Sequence, residues 1–375
     1  MSKNSKDIVL TSALRTSVGK FGGIHKKLQA HELGSIVIKG ILNKINIDVC
    51  EIDEVILGQV LPSLGGQNPA RQALINSGIP KEKTAFIINQ VCGSGLRAIV
   101  LGYQSISMGS SKFVIAGGQE SMSNSNEKEM LTNGLIDAFN NYHMGVTAEN
   151  IAEKFEILRD AQDNFALSSQ KKAQKAIEND KFKDELVNVK INDTVINKDE
   201  HPRFDIKFQD LQKLKTAFKE NGTVTPGNSS GINDGAAVLL LSTLEEAEKK
   251  SIEPFVKIVS WASVGVDPSL MGLGPISAVR SAVEKANWRI EEIDLFEINE
   301  AFAAQSIAVI RELNIDETRV NVNGGAIALG HPIGASGARI LVTLIHEMRK
   351  QNKKKGCATL CIGGGMGIAV CVEIL

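Results

Sequence analysis

One short pattern occurs in both halves of this chain, and this repeat constrains the fold more than any other feature. Residues 89–100 read NQVCGSGLRAIV and residues 330–341 read GHPIGASGARIL. Each copy places a reactive side chain, Cys92 or His331, shortly before Ser-Gly-x-Arg and the start of a predicted helix. Because strands and a glycine-rich turn surround both copies, we infer an internal duplication at domain scale. The duplication predicts that the two turns lie at equivalent, facing ends of two similar halves, with a cleft between them.

Strands alternate with helices on both sides of a more polar middle segment, which is typical of parallel sheets with crossover helices. The first series runs from Asp7 to Gly118, and the second begins near Glu253 and includes a predicted strand VNVN at 320–323. The middle segment is rich in Lys and Asn and has a helical period, so it predicts an insertion over the main sheet. The apolar run GAAVLLLS at 235–242 then returns to the core. We predict an N-terminal half of residues 1–118 plus 225–250, an inserted domain of residues 119–224, and a C-terminal half of residues 251–375.

Composition excludes several classes of function. The formal net charge of −1 gives no global attraction to nucleic acid or to an anionic membrane. No apolar run approaches the roughly 20 residues that cross a bilayer, and neither end carries a recognisable targeting sequence. Five cysteines without regular spacing do not form a disulfide framework or a structural zinc site. We therefore expect a cytoplasmic protein that works in a reducing environment.

The 34 glycines are clustered, and three of the clusters contain a reactive side chain. These side chains are Cys92 in VCGSG, His331 in GHPIGASG and Cys361 in CIGGGMG, while a fourth segment, EINEAFA, carries Asn299. Glycine at a helix start lets a substrate approach the backbone and leaves N–H groups free to bind an oxyanion. A cysteine nucleophile needs a base within reach, which a histidine in a rigid Gly–Pro turn provides. Cys92 as a buried thiol and Cys361 as a core strand residue are the structural alternatives.

Taken together, these segments resemble the thiolase family, in particular its short-chain members. The resemblance covers essentially the whole chain. It rests on VCGSG, GGQESMS, YHMGVTAENIAEKF, TPGNSSGINDGAAV, NEAFAAQ, NGGAIALGHPIGASGAR and CIGGGMG, in that order. It implies an α/β fold of two duplicated halves packed as layers α-β-α-β-α, with an inserted loop domain that binds coenzyme A. It also implies an acyltransferase that reversibly condenses two acetyl-CoA molecules to acetoacetyl-CoA and CoA.

The resemblance assigns roles to the reactive residues. Cys92 would take the acyl group, and His331 would activate Cys92 and help to bind a thioester oxygen. Cys361 would be the second acid/base at the α-carbon of acetyl-CoA. Asn299 would order a water that joins His331 in one oxyanion hole, and the N–H groups of Cys92 and Gly363 would form the other.

Further residues would bind the CoA thioester, according to the same resemblance. His143 and Met144 would line the pantetheine end and the acyl pocket, and the His-Met-Gly form is similar to that of enzymes for short acyl chains. Ser230 would contact the pantetheine, flanked by Phe218, Ala301 and Phe302, and Arg203 would lie near the adenine and phosphates. A structural His143 and a merely solvated Arg203 are the alternatives. We expect no cofactor and no metal, because the CoA thioesters are themselves the substrates.

The chain departs from the family pattern between ESMSNS and TNGLIDAFNNYHMG, where it has only NEKEML. Relatives usually carry a longer loop there, which in many thiolases joins two dimers into a tetramer. We therefore predict a homodimer. If Cys92 and Cys361 face one substrate carbon, a disulfide between them is a further hypothesis for switching the enzyme off.

Three other functions fit these residues less well. A degradative 3-ketoacyl-CoA thiolase of broad chain length is disfavoured by YHMG. A decarboxylating ketoacyl synthase would need a second histidine in place of Asn299. A non-catalytic acyl-CoA-binding relative would need neither Cys92 nor Cys361 nor His331.

Overall fold

The computed structural model describes residues 4–45, 47–62 and 65–375. The strands are β1 Ile8–Arg15, β2 Gly19–Lys20, β3 Glu54–Gly58, β4 Thr84–Ile88, β5 Phe113–Ser121, β6 Val189–Ile191, β7 Thr194–Ile196, β8 Asn233–Thr243, β9 Val256–Gly265, β10 Leu295–Ile298, β11 Lys355–Ile362 and β12 Met366–Ile374. The helices are α1 Ala30–Ile45, α2 Pro69–Asn76, α3 Ser94–Ser107, α4 Glu127–Glu129, α5 Met144–Lys154, α6 Arg159–Glu178, α7 Phe208–Gln212, α8 Leu244–Lys249, α9 Gly274–Lys285, α10 Ala303–Glu312, α11 Ala326–Leu329 and α12 Ser336–Gln351.

The main sheet consists of two similar half-sheets that meet edge to edge. Its strand order is β10-β11-β12-β9-β1-β8-β5-β3-β4, and β1 joins β9 through only two residue pairs. In each half a central strand has one parallel and one antiparallel neighbour: β5 lies between β3 and β8, and β11 lies between β10 and β12. The helices α3 and α12 precede these two central strands. This correspondence confirms the duplication that the sequence predicts.

Helices and half-sheets alternate as five layers, as expected. A single core cluster joins α3 and α12 to the inner faces of both half-sheets, so these two helices form the middle layer. The outer faces are covered by α1 and α2 in one half and by α9 and α10 in the other. Alternate residues of β5 point into the middle and outer clusters, which is the period of a strand buried on both faces. Each fully buried aliphatic side chain contributes about 1.5–3 kcal/mol to this packing.

The segment between β5 and β8 contains α4 to α7 and the short β6–β7 hairpin. A buried ion-pair cluster anchors it to the first half, because Arg15 of β1 contacts Glu185 at 2.6 Å and Asp199 at 2.7 Å. The strand β5 continues to Ser121, three residues beyond the boundary at 118 that we drew from the sequence. The division into three domains stays a prediction.

The predicted strand VNVN at 320–323 is wrong. Val320 makes one isolated bridge to Phe296, and the chain then turns at Asn321, which has a φ of 44°. The Asn321 side chain accepts a hydrogen bond from the Ile298 N–H and donates one to the Ile298 carbonyl, both at 2.8 Å. The Asn321 side chain therefore bonds the backbone groups at the end of β10 with which a further strand would otherwise pair.

Within the described ranges, none of the helices is long and apolar enough to cross a bilayer. All five cysteines are free thiols.

Candidate active site

The two repeated Ser-Gly motifs contact each other where α3 and α12 begin. A Cβ atom on Gly95 would lie 2.9 Å from the Ala338 backbone nitrogen, and one on Gly337 would lie 2.5 Å from that of Leu96. Any larger residue at either position would push the helices apart. The glycines of the repeat therefore permit the close packing that brings the Cys92 turn and the His331 turn together.

The turn that carries Cys92 has a strained backbone. Val91 adopts a φ of 47°, which is a genuine outlier for a β-branched residue and is typical of functional turns. The Ser94 hydroxyl holds this turn closed, since it donates to the Val91 carbonyl at 2.6 Å and accepts from the Gln90 N–H at 2.9 Å. Burial raises the pKa of the Cys92 thiol to about 11, although the N–H of Gly363 donates to its sulfur. The resting thiol is therefore neutral.

His331 is held in one tautomer by Ser336. The Ser336 hydroxyl donates to the Pro332 carbonyl at 2.8 Å, so at 2.5 Å from His331 Nδ1 it accepts the ring proton. The other ring nitrogen, Nε2, is buried and has no partner among the described residues. Burial, with a smaller contribution from the Arg339 charge, lowers the His331 pKa to about 4. His331 is therefore a neutral imidazole with a free lone pair, which is the form that a base requires.

Cys361 and Asn299 are both fully buried and do not line the cavity. Cys361, the penultimate residue of β11, packs against Met144, Ala301 and Phe302. Burial raises its pKa well above the ordinary value, and the nearby Cys92 contributes to the shift. Neither polar atom of the Asn299 side chain has a partner in the part of the chain that the structure describes. A buried carboxamide without partners is uncommon and indicates a site that a polar ligand or a water completes.

A cavity of about 320 Å³ opens onto these groups. Ten of the twelve residues singled out from the sequence line it, and Cys361 and Asn299 are the two that do not. The ten are Cys92, His143, Met144, Arg203, Phe218, Ser230, Ala301, Phe302, His331 and Gly363. The cavity is therefore where the structure brings the predicted nucleophile, base and binding residues together.

The aromatic side of the cavity is a stack. The His143 ring lies 4.6 Å from the ring of Phe218 at an angle of 18°, and Phe218 meets Phe302 edge-on at 6.2 Å. His143 is also the N-cap of α5, because its Nδ1 accepts the Gly145 N–H at 3.0 Å. His143 therefore has a structural role as the N-cap of α5 and also lines the cavity.

Backbone pairing and charge define the remainder of the cavity. The Ser230 N–H donates to the Ala301 carbonyl at 3.0 Å, which fixes two of the predicted CoA contacts relative to each other. Arg203 is exposed at the mouth, and no carboxylate of the described ranges forms an ion pair with it. A free guanidinium at a cavity mouth is suited to phosphate. No cluster of three metal-binding side chains occurs within the described residues.

Several site residues were not found from the sequence. His201 lines the cavity, and burial lowers its pKa to about 4. Asn233 connects it to the base, since Asn233 Oδ1 accepts the His331 N–H at 2.9 Å and its Nδ2 lies 3.3 Å from His201 Nδ1. Glu120 supports the same turn from below, where its buried carboxylate accepts the Gly334 N–H at 2.9 Å. The only sequence signal for Glu120 was its place in GGQE.

Comparisons with known proteins agree with this geometry. The family description "Thiolase, N-terminal domain" matches residues 8–245, and "Thiolase, C-terminal domain" matches residues 252–374. The chain therefore belongs to the thiolase family. It is 51% identical to an acetyl-CoA acetyltransferase of Rhizobium meliloti, with 99% of this chain and 100% of the relative covered. It is 52% identical to an acetyl-CoA acetyltransferase of Syntrophomonas wolfei, with 99% and 100% covered.

Solved structures give the same result for the fold. The crystal structure of the Bacillus anthracis acetyl-CoA acetyltransferase is 42% identical and superposes with a TM-score of 0.96 over 100% of both chains. That of human mitochondrial 3-ketoacyl-CoA thiolase in complex with CoA is 38% identical, with a TM-score of 0.95 over 99% of this chain and 98% of that one.

Proposed function

We propose that this chain is an acetyl-CoA C-acetyltransferase, which reversibly condenses two acetyl-CoA molecules to acetoacetyl-CoA and CoA through an acyl-Cys92 intermediate. The observation that carries the proposal is the meeting of Cys92, the unpaired Nε2 of His331 and the Gly363 N–H at one end of a single cavity. Full-length relatives near 50% identity bear the same activity in their names.

The first half-reaction follows from the two protonation states. Because the Cys92 thiol is neutral and His331 Nε2 is free, attack on the thioester carbonyl transfers the thiol proton to Nε2. The new C–S bond forms as the bond to the CoA sulfur breaks. The leaving CoA thiolate would take the proton of the neutral Cys361 thiol, so that Cys361 becomes a thiolate and His331 stays an imidazolium. The N–H groups of Cys92 and Gly363 would stabilise the carbonyl oxygen during this step.

The second half-reaction needs a base for the α-carbon of another acetyl-CoA. The Cys361 thiolate left by the first half-reaction would remove this proton, and the carbanion would attack the acyl-Cys92 carbonyl, which releases acetoacetyl-CoA. The His331 imidazolium would then return its proton to the Cys92 thiolate. The enolate oxygen would accept hydrogen bonds from His331 and from a water held by Asn299, whose unpartnered amide supports this role. Preorganised donors supply most of the stabilisation in such steps.

The coenzyme would enter along the cavity toward Cys92. Its pantetheine would run between Ser230 and the stacked rings of His143 and Phe218, with Met144, Ala301 and Phe302 closing the inner end. Arg203 at the mouth would contact the phosphates. No further cofactor is needed, since CoA is both carrier and product.

The assembly that we propose is a homodimer in the cytoplasm. The edge strand β4, TAFII, pairs only with β3 among the described strands and leaves Phe86 38% exposed. Such an unpaired apolar edge is suited to a second copy. Light scattering that gives a tetramer mass at working concentration would contradict the dimer.

The proposal is tested by CoA-dependent cleavage of acetoacetyl-CoA, measured for the wild type and for Cys92→Ser. The wild type should cleave this substrate, and the variant should lose at least about 10³-fold in rate because a serine hydroxyl is a far weaker nucleophile than a cysteine thiol that gives up its proton. Equal rates would remove Cys92 from the role of nucleophile. No cleavage by the wild type would favour a non-catalytic relative.

A broader 3-ketoacyl-CoA thiolase is the second candidate, favoured by the likeness to the human mitochondrial enzyme. Cleavage rates over a series of 3-ketoacyl chain lengths separate it from the first.

A further inference from the structure

Two apolar clusters contribute residues to the lining of the cavity. One, around Cys361, contains Met144, Met271, Ala301 and Phe302. The other, which we call the Cys92 wall, consists of Met122, Met130, Leu135 and Ile333 and packs directly against Cys92. The Cys92 wall is therefore a surface that an acyl group on the Cys92 sulfur would contact.

Two residues of the Cys92 wall lie at the shortened loop: Met130 is within NEKEML, and Leu135 is within TNGLID, which follows it directly. Residues Met130–Leu135 wind as a π-helix, closed by a hydrogen bond of 2.8 Å from the Ile136 N–H to the Leu131 carbonyl. Such wide turns are rare and frequently occur at functional sites. Here the wide turn places Leu135 in the cavity lining, while Met130 is buried in the same cluster.

The Cys92 wall is closely packed where Gly134 meets Ile333. A Cβ atom on Gly134 would lie 3.1 Å from Ile333 Cδ1, so the loop packs tightly on the turn that carries His331. On the other side of the loop, Asp137 is fixed by a 2.8 Å hydrogen bond from its N–H to the Tyr142 carbonyl. Leu135 is therefore supported from both ends of the loop and has little freedom to yield to a longer acyl chain.

Resting on the function proposed above, we propose that Leu135, backed by Met130, is the specificity-determining residue that restricts the acyl group on Cys92 to acetyl. A longer acyl chain would overlap the Leu135 side chain. Because one methylene in a filled pocket changes selectivity by about 10- to 200-fold, a single leucine is sufficient to distinguish acetyl from hexanoyl.

The test compares CoA-dependent cleavage of acetoacetyl-CoA and 3-oxooctanoyl-CoA by the wild type, Leu135→Ala and Leu131→Ala. Leu131 is the matched control, because it lies in the same π-helix and does not line the cavity. We expect Leu135→Ala to raise the ratio of long-chain to short-chain kcat/KM by about tenfold or more, and Leu131→Ala to leave the ratio unchanged. An unchanged ratio in Leu135→Ala with acetoacetyl-CoA cleavage intact would overturn the inference and leave the proposed function standing.

A second readout does not need the complete reaction. Mass spectrometry of the protein after incubation with acetyl-CoA or hexanoyl-CoA reports which acyl group loads onto Cys92. Wild type should carry acetyl only, and Leu135→Ala should carry both. If Leu135→Ala does not fold, Leu135→Val should shift the loading in the same direction. Equal hexanoyl loading of wild type would overturn the inference, and absence of any acylation and any cleavage would overturn it together with the proposed function.

Discussion

The turns before α3 and α12 have one backbone plan and two different chemistries. In both, a serine at the helix start donates its hydroxyl to a carbonyl of the preceding turn: Ser94 to Val91 and Ser336 to Pro332. Ser94 accepts in return from a backbone N–H, whereas Ser336 accepts from the ring of His331. The duplicated scaffold thus supplied the same serine-closed turn twice. The nucleophile Cys92 lies two residues before its serine and the base His331 lies five residues before its serine, so the two turns present these groups from different positions.

The largest effect is expected at the base itself. Replacing His331 with Ala removes the proton acceptor for the neutral Cys92 thiol, so kcat for acetoacetyl-CoA cleavage should fall by at least about 10³-fold. Steady-state kinetics with the folded variant measure the loss. A decrease below tenfold would mean that another group accepts the thiol proton.

The two arginines of the repeat should differ in stability. Arg339 is buried and contacts Glu297 at 3.3 Å, while Arg97 is only partly buried and lies 5.3 Å from the Trp261 ring centre. Arg339→Met removes the cation that pairs with the buried Glu297 carboxyl, whose pKa burial raises to about 8 even with Arg339 present, and should lower the free energy of unfolding by about 3 kcal/mol. Arg97→Met should cost less than about 1 kcal/mol. Urea unfolding of both variants checks the difference, and equal losses would contradict it.

The sequence predicts the reactive residues that have glycines as near neighbours in the chain. Cys92, His331 and Cys361 each end or follow a readable strand next to glycines, and the repeat paired the first two. The sequence does not indicate His201 or Glu120, because their contacts join distant parts of the chain. Asn233 connects His201, 32 positions away, with His331, 98 positions away, and Glu120 contacts Gly334 across 214 positions. The positive φ of Val91 has no sequence signal, since β-branched residues rarely adopt it.

The failed strand at 320–323 has the same cause. Alternating Val and Asn predicts a half-buried strand, but the Asn321 side chain pairs with Ile298 in place of the backbone. Local periodicity cannot show which group satisfies a strand edge. The π-helix at Met130–Leu135 was likewise invisible, although the shortened loop marked its place.

The serines give a smaller and sharper comparison. Ser336→Ala removes the acceptor that holds the proton on His331 Nδ1, so the ring is free to rotate or change tautomer. The value of kcat should fall about tenfold with little change in KM. The Ser94 hydroxyl bonds only backbone groups, so Ser94→Ala should lower the free energy of unfolding by about 1 kcal/mol and have a smaller effect on kcat. Equal kcat in the two variants would show that Ser336 does not orient the base.

The smallest effect is expected in the pH dependence of kcat/KM. Because the His331 pKa is lowered to about 4, its neutral form persists to lower pH, and about 99% of it remains at pH 6, compared with about a quarter for an ordinary histidine. Titration of His331 should therefore not lower kcat/KM between roughly pH 5.5 and 7.5, the range in which an ordinary histidine would become protonated.

A shallow decrease of kcat/KM below about pH 7 is expected instead from Glu120, whose pKa burial raises to about 7. The three hydrogen-bond partners of the Glu120 carboxylate are the backbone N–H groups of Val60, Leu61 and Gly334. Protonation of Glu120 therefore removes at least one of the hydrogen bonds that hold the turns at Val60 and Gly334. Glu120→Gln should abolish that decrease, and a decrease near about pH 6.5 in both proteins would show that His331 titrates as an exposed histidine does.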